Sequence, residues 1–119
     1  MEPKELAREI ARVLDEKKAV DIKVIETTEF TIISDFFVIA SGTSNTHVKS
    51  LADELEYEIK KRFSVAPEGI EGRATGWILL DYGSVLVHIF QKESREYYNL
   101  ERLWVDARLL DISDIVTEE

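Results

Sequence analysis

Cysteine is absent from the chain, so no thiolate ligand, disulfide framework or cysteine nucleophile is available to it. Histidine occurs only twice; a metal site would have to rest on carboxylates, and none shows ligand spacing. No metal or other cofactor is expected. Long apolar runs are also missing. Phe36-Phe37-Val38-Ile39-Ala40 falls far short of the ~20 residues that span a bilayer, so no membrane partner is expected. The opening Met1-Glu2-Pro3-Lys4-Glu5 lacks the apolar stretch of a signal peptide and the Arg-rich character of a transit peptide, which points to the cytoplasm. Positive charge is in deficit: 24 acidic against 15 basic residues give a net charge of −9. Such a surface repels phosphate backbones, whose binding relies on Lys and Arg releasing counterions. Direct DNA binding is therefore not expected, and a basic protein suits this charge better.

What remains is enough for one ordinary domain. The 119 residues are 45% apolar and 33% charged, close to the ~100–150 residues typical of a compact domain. Leu6, Ala7, Ile10, Val13 and Leu14 lie on a single helical face, with Pro3 tolerated in the first turn; a helix over Pro3–Glu16 follows. Ile22 and Val24 alternate with Asp21 and Lys23, the pattern of a half-exposed strand. Asp35 to Ala40 is apolar on both faces and reads as a central strand covered on both sides. Gly42-Thr43-Ser44-Asn45 offers a turn and several N-caps. A second helix carries Val48, Leu51, Ala52, Leu55, Ile59 and Phe63 on one stripe and ends at the basic Lys60-Lys61-Arg62, where cations favour the helix dipole.

Beyond it, the Gly- and Pro-containing stretch Ser64 to Gly76 has room for a short strand near Gly69 to Gly72. Trp77 to Tyr82 and Val85 to Phe90 flank Gly83-Ser84, a two-residue hairpin signal. Ser94 is a candidate cap for a third helix bearing Tyr97, Tyr98, Leu100, Leu103 and Trp104. A strand–helix–strand arrangement over residues 35–82 implies a right-handed crossover. Together these elements predict a single-domain mixed β-sheet with packed helices, α/β or α+β. The domain is expected over residues 1–106. Residues 107–119 form an acidic tail with three fates open: docking on the body, meeting a second copy, or fraying.

The hairpin separates two faces. With Gly83-Ser84 as the loop, Ile78, Leu80, Tyr82, Val85, Val87 and Ile89 share one face and read as core. Trp77, Leu79, Asp81, Leu86, His88 and Phe90 share the other, which mixes aromatic, acid and imidazole. Such a face is either partly wet or specifically hydrogen-bonded. Each residue also has a plainer role. A strand Trp packs, a His is commonly a satisfied structural group, and Asp81 can support the turn. Tyr97 and Tyr98 at helical spacing are first packing residues, although aromatics also lead the list of interface hot spots.

Catalytic chemistry finds little support. Gly42-Thr43-Ser44 follows a strand and opens a helix, as a phosphate-cradling turn does, but it lacks both the P-loop and the dinucleotide glycine patterns. A nucleotidyltransferase-fold, nucleotide-binding enzyme is the alternative this turn suggests. A working transferase needs closely spaced acids on the next strand, and that strand offers only Asp81. Ser44 and His47 have no acid to complete a triad; N-capping by Thr43, Ser44 or Asn45 is the better explanation.

Taken in order, Ser34-Asp35-Phe36-Phe37-Val38-Ile39-Ala40, Ser41-Gly42-Thr43-Ser44 and His47-Val48 resemble the first signature of the ribosomal silencing factor (Iojap-like) family. Glu71-Gly72, Trp77-Ile78-Leu79-Leu80-Asp81-Tyr82-Gly83, Val85-Leu86-Val87-His88-Ile89-Phe90 and Arg95-Glu96-Tyr97-Tyr98-Asn99-Leu100-Glu101-Arg102-Leu103-Trp104 are similar to the second. The resemblance runs from about Leu6 to Asp106, with Ser84 standing where the family commonly has Asp. It implies a nucleotidyltransferase-like fold without transferase activity, often a homodimer in isolation. It also implies binding to the large ribosomal subunit through ribosomal protein fourteen, which sterically blocks subunit association and represses translation under nutrient limitation. On this reading Trp77, Leu79, Asp81, His88, Tyr97 and Tyr98 are the candidate partner-binding residues, and no catalytic residue is required.

Overall fold

The computed structural model describes residues 1–29, 34–72 and 76–116. Parts of two segments read from the sequence, the stretch Ser64–Gly76 at 73–75 and the tail at 117–119, lie outside the described residues. Within them a six-stranded mixed sheet runs in the order β3-β4-β5-β2-β1-β6. The elements are α1 (Pro3–Glu16), β1 (Val20–Glu26), β2 (Phe36–Gly42), α2 (Asn45–Phe63), β3 (Gly69–Glu71), β4 (Trp77–Asp81), β5 (Val85–Gln91), α3 (Lys92–Tyr98), a 3-10 turn (Leu100–Trp104) and β6 (Arg108–Leu109).

The helical stripes do what their spacing demands. Leu6, Ala7, Ile10, Val13 and Leu14 of α1, and Val48, Leu51, Ala52, Leu55 and Ile59 of α2, are all buried. They meet Val24, Val38, Ala40, Ile78, Leu80, Val85, Val87 and Ile89 from one face of the sheet in a single apolar cluster. Apolar burial of this kind contributes roughly 25 cal/mol per Å² removed from water, so this inner face carries most of the fold's stability. β2 sits centrally, with six of its seven residues buried, as its two-sided apolar pattern requires.

Register at the hairpin is the one expected. Trp77 faces Phe90, Ile78 faces Ile89, Leu79 faces His88, Leu80 faces Val87 and Asp81 faces Leu86. Gly83 has φ +83°, a conformation that costs little only without a Cβ, and its N–H donates to Asp81 Oδ1 at 2.8 Å.

Three expectations need correction. The parallel neighbour of β2 is β5, not the strand at 77–82. The tight hairpin reverses the chain, and the Asp35 and Phe36 N–H groups both donate to the Ser84 carbonyl at 2.8 and 3.1 Å, seating β5 beside β2. Ser94 does not cap the third helix; Gln91 holds the N-cap position, with no side-chain cap bond. Nor does that helix reach Trp104. Asn99 adopts the left-handed conformation (φ 46°, ψ 54°) and closes α3, after which the chain tightens into the 3-10 turn. Asn is among the few non-glycine residues that enter this region readily.

Docking on the body is the fate seen for residues 108–116. Arg108 and Leu109 pair with Glu26 and Ile25 of β1, and the Leu110 N–H donates to the Val24 carbonyl at 2.8 Å. Ile115 is buried against the main cluster, and Arg8 of α1 pairs with Asp114.

Gly42 ends β2 where α2 begins, and a Cβ there would lie 2.8 Å from Val48 Cγ2 and 2.9 Å from the Val48 backbone nitrogen. The backbone cannot swing aside as a flexible side chain can. Gly42→Ala is therefore expected to cost about 1–3 kcal/mol in urea denaturation; a wild-type midpoint would contradict this packing.

Candidate functional site

The outer face of the sheet is built differently from the inner one. Cross-strand partners share a face, so Asp81, Leu86, Phe37, Ile25 and Leu109 form one row across it, and Leu79, His88, Ile39 and Lys23 form another. Among the described residues, Ile25, Ile39 and Phe90 form a small buried apolar cluster here, with Phe37, Trp77, Leu100, Trp104 and Ala107 half-buried around them. The cover comes from α3 and the 3-10 turn, which leave part of the sheet open.

Aromatic rings join into one continuous chain over this face. Trp77 lies 5.0 Å from Phe90, 4.7 Å from Tyr98 and 5.9 Å from His88, centroid to centroid. Tyr97 meets Tyr98 edge-on at 5.1 Å. On the other side Phe37 stands 4.7 Å from His88 and 5.1 Å from Trp104. Such offset and edge-on pairs each contribute about 0.5–1.5 kcal/mol beyond their burial. Tyr97 is 81% exposed and Leu103 70%.

The structure thus puts Trp77, Leu79, Asp81 and His88 on one face of the sheet and packs Tyr98 on Trp77 with Tyr97 beside it, but not at one level. Trp77, Leu79 and Asp81 are half-buried, Tyr97 and Tyr98 are exposed, and His88 lies beneath the surface at 5% exposure. His88 serves as a support: the Trp77 indole donates its Nε1–H to His88 Nδ1 at 3.1 Å. Because an indole can only donate, Nδ1 must be unprotonated and the neutral ring carries its proton on Nε2. Burial pushes the His88 pKa down from 6.5 to about 4. Asp81 accepts the Gly83 N–H, so it supports the turn while remaining half-exposed.

Phe37, Leu103 and Arg95 belong to this region and were not among the expected site residues. Phe37 could have been found by alternation, since it points opposite to buried Phe36 and Val38. Leu103 and Arg95 carry no comparable signal; their placement depends on the break at Asn99.

The Gly42-Thr43-Ser44 turn spends its donors and acceptors on structure. Ser44 Oγ accepts the His47 N–H at 3.1 Å, as an N-cap does, and the Thr43 N–H donates to His47 Nδ1 at 2.9 Å. His47 Nε2 lies 3.1 Å from the Lys17 carbonyl, to which it donates once Nδ1 accepts. With Gly42 accounted for by its contact with Val48, the turn has a complete structural explanation and the phosphate-cradle reading loses its basis. Among the described residues no group of three His, Asp or Glu is placed to hold a metal ion, and no helix is long and apolar enough to cross a membrane.

The fold and this site define a single-domain α/β protein organised around an aromatic surface. A family model described as "Ribosomal silencing factor during starvation" matches residues 1–119. The chain is 33% identical to the ribosomal silencing factor of Halalkalibacterium halodurans over 98% of its own length and 100% of that protein. It is 34% identical to the one from Bacillus subtilis over 94% and 95% of the two chains. A crystal structure of a protein from Chromobacterium violaceum superposes with a TM-score of 0.84 at 33% identity, covering 88% of each chain. The chain belongs to the ribosomal silencing factor family, a family named for regulation rather than for catalysis.

His88 gives the site a pH signature. Its folded pKa lies below the unfolded value, so the unfolded chain binds the proton first as pH falls. The stabilisation is whole above 6.5 and is lost on descending to about 4, on the order of 3 kcal/mol for this one group. An NMR titration is expected to show the His88 ring still neutral at pH 5.5; half-protonation near pH 6.5 would contradict its burial.

Proposed function

We propose that this protein is an anti-association factor for the ribosome. It docks on the large subunit through ribosomal protein fourteen and stands where the small subunit must land, repressing translation when nutrients are short. The observation that carries this reading is the ring chain Tyr97–Tyr98–Trp77 with exposed Leu103, on a chain that belongs to the ribosomal silencing factor family. Interface hot spots are enriched in Trp and Tyr, the residue types that make up this cluster. Trp77, Leu79, Asp81, Tyr97 and Tyr98 form the contact surface, and His88 acts from below by holding Trp77. The net charge of −9 suits a basic protein, since complementary potentials speed encounter and suppress wrong partners. Steric occupancy needs no bond-making chemistry. The work is done in the cytoplasm, and in isolation the exposed apolar face is covered by a second copy of the chain.

Sedimentation of purified ribosomal subunits with the protein is the test. It is expected to travel with large subunits and to lower the yield of joined ribosomes; failure on both counts ends this reading. Tyr97→Ala is expected to change folding stability by less than about 0.5 kcal/mol, as exposed substitutions usually do. The same change should weaken large-subunit binding by at least ~1 kcal/mol, read from titration of labelled protein against subunits.

A further inference from the structure

The corner formed by α3 and the 3-10 turn presents Tyr97, the most exposed ring among the described residues, and the exposed Tyr98, yet almost no core of its own holds it. Arg95 is the only buried residue across both elements. Leu100 and Trp104 are merely half-buried against the outer cluster. A helix of seven residues is far below the length at which isolated helices become stable, about 12–15 residues.

Arg95, at 7% exposure, reaches from this corner to the ends of two strands and back. Its Nε donates to Glu101 Oε1 at 3.0 Å within the 3-10 turn. Nη1 donates to the Asp21 carbonyl of β1 at 2.7 Å and to Ser41 Oγ of β2 at 2.9 Å. Nη2 faces the Asp21 carboxylate at 3.6 Å. The Asp21 carbonyl is available because β1 is irregular here: its register with β2 shifts between Val20 and Lys23, and Asp21 has φ 52°. Lys23 adds a second tie, donating to Glu101 Oε2 at 2.8 Å. Partial burial would push the Glu101 carboxyl up, but the hydrogen bonds from Arg95 and Lys23 together hold it below the usual range.

We infer that Arg95 is the positioning residue of the docking face: its guanidinium clamps the α3 corner to the strand ends and so presets Tyr97, Tyr98 and Leu103 for a protein partner. The inference rests on the docking reading proposed above. Geometry makes the residue type specific. The planar fork donates in fixed directions to three elements at once, whereas a lysine ammonium is a single point of charge. A cleft of about 560 Å³ opens beside the clamp, lined by Asp21, Ser41, Thr43, Lys92, Arg95 and Glu101 among others. Arg95 is already matched there by Glu101 and Asp21, so the arrangement is that of a brace.

Arg95→Lys in the full chain tests this by amide hydrogen exchange and by binding to purified large ribosomal subunits. Exchange is expected to quicken at least tenfold across residues 96–105 while α2 and β5 keep their protection, and affinity is expected to fall at least tenfold. The core variant Ile59→Val, destabilised without touching the corner, is expected to bind as the wild type does. Unchanged exchange at 96–105, a uniform rise over the whole chain, or wild-type affinity in Arg95→Lys would each overturn the inference, as would equal loss of affinity in Ile59→Val. If Arg95→Lys does not fold, Glu101→Ala is judged by the same two readouts. Should the wild type itself fail to bind large subunits, the docking reading falls, and exchange alone decides whether Arg95 holds the corner.

Discussion

Everything in this fold depends on the parallel pairing of β2 with β5, which runs from Phe36–Val85 to Gly42–Gln91. It joins the β4-β3 half of the sheet to the β1-β6 half, and both strands are buried over most of their length. A parallel pair cannot be closed by a tight turn and needs a crossover; α2 provides it and, with α1, seals the inner face. The price of that arrangement is an outer face left to a thirteen-residue corner, residues 92–104, too small to cover it. Exposed aromatic surface therefore follows from the topology and from the economy of the chain.

Much of this was legible because periodicity reports burial directly. The stripes of α1 and α2, the two-sided apolar character of β2 and the alternation within β4 and β5 all translate into the faces observed. What could not be read was set by pairings between distant residues or by single backbone conformations. No local pattern says that β5 rather than β4 lies beside β2; the Ser84 carbonyl meeting Asp35 and Phe36 decides it. The spacing of Tyr97, Tyr98, Leu100, Leu103 and Trp104 suits one continuous helix, and a single left-handed Asn99 overrides it. Leu103, which a continuous helix would turn toward packing, becomes exposed for that reason. Arg95 was invisible as a clamp because two of its acceptors lie 54 and 74 positions away in the sequence.

The Gly42-Thr43-Ser44 turn illustrates how a motif and its chemistry part company. A strand ending in glycine before a helix N-terminus is the layout of many phosphate sites, but the layout also arises whenever a strand must pack closely on the helix that follows it. Here the close approach of Gly42 to Val48 explains the glycine, and His47 takes the Thr43 N–H that a phosphate would need. Likeness of architecture is therefore poor evidence of shared activity, and the family to which the chain belongs points the same way.

For a factor of the proposed kind, a surface ordered before the partner arrives is an energetic advantage. Association already costs several kcal/mol of lost freedom, and every side chain or loop frozen on contact adds about 0.5–1.5 kcal/mol. The proposed face reduces that cost with polar groups turned inward. Trp77 satisfies its indole N–H on buried His88, so docking need not strip water from that donor. Asp81 is held by the turn it supports, and the rings pack on one another rather than standing free. Neutral His88 is part of the same logic, because a protonated ring would no longer accept from Trp77 and would place a charge beneath the rings. The buried polar residues of this face are thus best understood as its scaffold, with recognition left to the rings above them.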